Sequence, residues 1–147
     1  FSVDPNLHAY EVVALMSRSD LDVLPVVHRG IYRGSIDRGS ILNFFTQVAG
    51  WGAEGSIIVL ELPTPKFSLH EIARHVEENG ASISSFNTCY EDSGEMIVTI
   101  KLNTVDIAAI LETFKRFDYK VTTFFDAPEV EDEIRSKFDQ FMRYLEQ

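Results

Sequence analysis

Polar and apolar residues alternate strictly near the middle of the chain. Met96, Val98, Ile100 and Leu102 fall on one side, and Ile97, Thr99 and Lys101 on the other. A period of two is that of a strand with one buried face. Residues 81–90 form its partner across the turn Glu91-Asp92-Ser93-Gly94. Upstream, Ile57-Ile58-Val59-Leu60 has the length and β-branched content of a buried strand. Ser68-Leu69-His70-Glu71 then reads as a capping box, in which Ser68 and Glu71 satisfy each other's free backbone donors. It opens a helix with Leu69, Ile72, Ala73 and Val76 on one face, stopped by Asn79-Gly80. A second helix, capped by Asn103 or Thr104, turns Ile107, Ile110, Leu111 and Phe114 inward, and Tyr119 to Phe125 is a last strand.

The first third follows another pattern. Helical spacing runs through Leu7, Val12, Val13, Leu15 and Met16 after the start signal Asp4-Pro5-Asn6. Leu24-Pro25-Val26-Val27 predicts a short strand, His28-Arg29-Gly30 a turn, and Ile31 to Ile36 a second strand. Ile41, Leu42, Phe44, Phe45 and Val48 mark one side of a further helix. At the other end, Val130, Ile134, Phe138, Phe141 and Leu145 recur every three to four residues, one apolar stripe on an acidic helix. That stripe suits a helix docked on its own domain or one packed across a dimer interface. The fold class expected is α+β: a helix-strand-strand-helix unit over 1–50, a glycine-dense linker over 51–55, a βαββαβ unit of ferredoxin-like order over 56–125, and a C-terminal amphipathic helix over 126–147.

Charge separates these parts further. The 147 residues carry 13 Lys and Arg against 23 Asp and Glu, a formal charge of −10. Residues 1–52 hold almost none of that excess; 53–125 and the tail hold the rest. So acidic a chain is not expected to bind nucleic acid or an anionic membrane surface, which require a basic face. No apolar run reaches a membrane span, and Cys89 is the only cysteine, which excludes an intramolecular disulfide. A cytoplasmic location is expected from these features.

Catalytic signatures are missing. His70-Glu71 followed by His75 departs from the zinc-protease spacing, because residues five apart stand about 140° apart on a helix; two solvated histidines are the expectation. His8 and Glu11 are expected as an exposed pair, and Cys89 as an inert, partly buried thiol with no neighbouring cation. No phosphate loop, dinucleotide fingerprint or nucleophile elbow occurs, so an enzyme is not expected. Three arginines do stand out: Arg29, Arg33 and Arg38 fall within ten positions, beside Gly30 and Gly34. They suit either a phosphate held near a helix start or the solvated edge of a hairpin.

Leu24-Pro25-Val26-Val27, Gly34-Ser35-Ile36 and the helix with Ile41 and Leu42 resemble the second half of a CBS motif. Such motifs work in pairs, and their clefts often bind adenosyl ligands such as AMP, ATP or S-adenosylmethionine. The resemblance implies that Asp37 and Ser40 meet the ribose and that Arg29, Arg33 and Arg38 meet the phosphates. Asp37 stands where the family has Thr or Ser, and Ser40 where it has Asp. Residues 56–125 look like an ACT domain, a module that pairs its sheets in dimers, with Lys66 and Phe67 in place of the usual Pro-Gly. Taken together, the chain resembles small bacterial CBS-domain proteins, some loosely called acetoin-utilisation proteins, with another CBS motif before Phe1. A regulatory, ligand-sensing homodimer is what the resemblance implies. The alternative is a ligand-free dimerisation scaffold that docks a partner protein.

Overall fold

The computed structural model describes residues 1–125 and 138–145, in which the fold is mixed α+β with two antiparallel sheets. The chain divides into two compact units, Phe1–Trp51 and Gly52 onward.

The first unit contains α1 (Ala9–Ser19), β1 (Val23–His28), β2 (Ile31–Asp37) and α2 (Arg38–Val48). Asp4-Pro5-Asn6 does not start α1. The Asp4 carboxylate accepts from the Asn6 amide at 2.9 Å and closes a turn of its own, while His8 caps the helix by accepting from the Tyr10 N–H. β1 and β2 pair through the two-residue turn Arg29-Gly30, both with positive φ (50° and 79°), as right-handed strand twist favours in tight hairpins. Pairing shifts between Val26, opposite Gly34, and Val27, opposite Tyr32. Arg33 is the extra residue of that bulge. Val3 adds an isolated parallel bridge to Val26, which the sequence pattern did not announce. The core is small: Val3, Val12, Met16 and Leu24 are buried. α2 contributes no fully buried residue; Ile41 is partly buried against this core, and Phe45 stacks on Tyr10 and Trp51.

The second unit runs β3 (Ile57–Pro63), a 3₁₀ turn at Thr64–Lys66, α3 (Leu69–Glu78), β4 (Ile83–Tyr90), β5 (Glu95–Leu102), α4 (Ala108–Arg116) and β6 (Lys120–Phe125). The sheet order is β4-β5-β3-β6, every neighbouring pair antiparallel. Ile58, Leu60 and Leu62 of β3 and the alternate set Met96 to Leu102 of β5 are buried with Ile72 and Val76 of α3 and Ile110 and Phe114 of α4. Ile57, Val59, Ile97 and Thr99 occupy the opposite face and are only partly covered. Ser68 caps α3 as expected, its hydroxyl accepting from the Glu71 N–H at 3.3 Å. α4 starts later than its predicted cap. Asn103 is spent on the Ser82 amide (2.8 Å), and Asp106 accepts from the Ala108 N–H at the helix start (3.4 Å).

Gly55 is not a loose linker residue. It is buried with φ of 149°, and a Cβ there would collide with the Leu102 carbonyl oxygen. In the tail, residues 138–145 are helical with Phe138, Phe141 and Leu145 exposed, so the described part of the stripe is not docked. Val130 and Ile134 lie outside the described residues.

Candidate functional site

Asp37 and Ser40 are brought together. Asp37 is the N-cap of α2, and its Oδ1 accepts from the Ser40 N–H at 2.6 Å. That backbone donor, followed by the Ser40 hydroxyl and the Gly39 amide, holds the Asp37 carboxyl below its ordinary value of 3.8. A carboxylate depressed in this way stabilises the fold at pH values above 3.8, and the contribution disappears as pH falls through the lower folded value. Melting curves of the wild-type chain and of Asp37→Ala are therefore expected to differ at neutral pH and to converge in acid. A gap that persisted in acid would assign the effect to something other than the ionised cap.

Arg38 is next to this cap but already engaged. Its guanidinium reaches Asp20 at 3.1 Å and Asp22 at 3.0 Å, and its Nε donates to the Leu21 carbonyl at 3.4 Å. All three partners lie at the end of α1 or the entry to β1, so Arg38 ties the start of α2 to that corner. It also borders a cavity of about 420 Å³ with apolar walls from Val13, Met16, Ile41 and Leu42. Arg29 and Arg33 are elsewhere. Arg29 forms the hairpin tip, the length of β2 away, roughly 20 Å at 3.3 Å per residue. Arg33 sits exposed on the bulge between them. The three arginines thus do not converge on one point; the site that assembles is Asp37, Arg38 and Ser40.

One functional group escaped the sequence reading. His75, expected in solvent, is 2% exposed. Its ring stacks on Phe117 at 4.3 Å and meets Tyr119 edge-on at 5.8 Å and Phe114 at 6.2 Å. Position 75 follows Ile72 by three and precedes Val76, so it falls on the buried stripe of α3; that phase was the available signal. His70 and Cys89 are exposed, the latter more open than expected. Among the described residues no group of three or more His, Cys, Asp or Glu side chains is placed to hold a metal, and no helix is long and apolar enough to cross a membrane. No family model matches the chain, and no curated protein matches it significantly.

Proposed function

We propose that the chain is a cytoplasmic regulatory module whose first unit is one half of a CBS-type adenosyl-nucleotide cleft and whose second unit is an ACT-like assembly domain. The observation that carries the reading is α2. This helix leaves Leu42, Phe44 and Val48 exposed, while Ile41 packs on the small core and Phe45 stacks on Tyr10 and Trp51. An amphipathic helix with an uncovered apolar side is half of an interface. A second motif of the same kind would cover it and close a cleft beside Asp37, Arg38 and Ser40. There Asp37 offers its second carboxylate oxygen and Ser40 its hydroxyl to ribose hydroxyls. Arg38 would take a phosphate only by leaving Asp20 or Asp22, which gives the nucleotide a means of loosening the α1–α2 corner.

In the second unit, the β3-α3-β4-β5-α4-β6 succession with sheet order β4-β5-β3-β6 supports the ferredoxin-like, ACT-type reading. The half-covered face around Ile57, Val59 and Ile97 supports assembly as a homodimer through the sheet.

A ligand that binds only the native state raises its melting temperature by mass action. Titration with AMP, ATP and S-adenosylmethionine is expected to give a saturable rise with one of them, lost in Asp37→Ala. A flat response to all three would favour the second reading, a scaffold without ligand. That reading draws on the exposed Phe138, Phe141 and Leu145 of the tail helix, which suit the docking of a partner protein.

A further inference from the structure

Two apolar faces of the second unit are left without cover. One belongs to the tail helix over residues 138–145. Phe138, Phe141, Met142 and Leu145 follow one another at helical spacing, so they share one side of it. Each is between 42% and 61% exposed. Two turns of helix are marginal in water on their own, so the stripe calls for a surface to lie against.

The other face is the side of the sheet turned away from α3 and α4. Ile57 and Val59 of β3 and Ile97 of β5 form its middle and are only partly covered. Phe125 stands opposite Ile57 on the same side and is 54% exposed. Cys89, also exposed, stands opposite Ile97. The faces are complementary in charge as well. Lys101 ends the sheet face and Asp139 borders the stripe, and neither has an ion pair among the described residues.

Size points to the occupant. By side-chain size the stripe offers roughly 400 Å². One helix on one sheet is therefore a small contact. Two copies that exchange helices make it twice and cover both sides each time, up to about 1,600 Å², the area of a standard stable interface.

We infer that the tail helix of each chain docks, stripe inward, on the outer sheet face of a second copy, giving an isologous, helix-exchanged dimer. Within a single chain the stripe stays exposed, which makes the second copy its occupant. The inference rests on the homodimer reading above and adds the segment that holds it together.

Sedimentation of the whole chain over a range of concentrations measures the dimer constant. Phe138→Ser/Phe141→Ser alters two exposed positions and should weaken dimerisation by about tenfold or more, with circular dichroism unchanged. Cys89 reports where the helix lies. After mild oxidation, Phe141→Cys should give a dimer-sized band whose disulfide maps between Cys89 and the introduced thiol. Arg143→Cys, on the far side of the helix, should not. A monomer at every concentration would overturn both this inference and the homodimer reading, and would leave the stripe to a partner of another kind. A dimer equally tight in the double variant would keep that reading and overturn the exchange. So would a disulfide formed within one chain, which means a helix docked on its own sheet, or equal cross-linking from Arg143→Cys.

Discussion

Phe114→Ala is expected to lower the unfolding free energy by about 3 to 5 kcal/mol, the usual cost of truncating a fully buried phenylalanine. Phe114 is 0% exposed in the last turns of α4. It packs edge-on to Tyr119 at 5.3 Å and to His75 at 6.2 Å, so it joins the apolar core to the aromatic group of His75, Phe117 and Tyr119. Truncation leaves a void between α4 and the sheet. For a chain of this size the melting temperature should fall by at least about 6 °C. Urea unfolding monitored by far-UV circular dichroism measures it. A loss below about 1 kcal/mol would mean that α4 is not seated as described.

Gly55→Ala should cost about 2 to 5 kcal/mol, from two sources acting together. A φ of 149° is a region that side chains avoid, at about 1 to 3 kcal/mol. A methyl group there also meets the Leu102 carbonyl oxygen, and relieving that overlap adds a comparable amount. The neighbouring bonds have no room to give: Ser56 N–H donates to the Thr104 carbonyl at 3.0 Å, and Leu102 N–H to the Ser56 carbonyl at 2.8 Å. Gly34→Ala is the informative comparison. Gly34 shares the φ of 149° but has nothing within 4 Å of an added Cβ, so it isolates the backbone share. Equal losses at both glycines would refute the steric part of the argument.

Both positions show how far the sequence could be read. Phe114 was recognisable because α4 repeats its apolar residues every three to four positions, β5 declared itself by alternation, and β3 by its run of β-branched and apolar residues. Gly55 was not, since glycine in a glycine-rich stretch signals a break in regular structure and says nothing about which distant backbone lies against it. Capping failed for a related reason. Asp4, Asn103 and Thr104 are all competent caps; Asp4 and Thr104 close local turns on Asn6 and Asp106 instead, and Asn103 accepts from the Ser82 amide that the fold brings near. Of the residues expected at a ligand site, Asp37 and Ser40 were brought together only by the family resemblance; their contact is a local helix cap across a three-residue spacing. The divergence of Arg29 from Arg38 followed from the hairpin, whose strands carry residues close in sequence to opposite ends. His75 was hidden by its chemistry: histidine reads as polar even when it occupies a core phase.

The difference between the two cores has a thermodynamic consequence. Four buried residues hold the first unit, against thirteen in the main cluster of the second. A region with so little buried apolar surface opens at a small fraction of the free energy needed to unfold the rest. Any molecule that covers α2 therefore meets an element whose own order is marginal, and part of its binding free energy goes into completing the fold there. Recognition and folding become one equilibrium in the first unit. On the proposed reading, a ligand's signal would be the amount of ordered structure in the chain rather than a displacement of rigid parts.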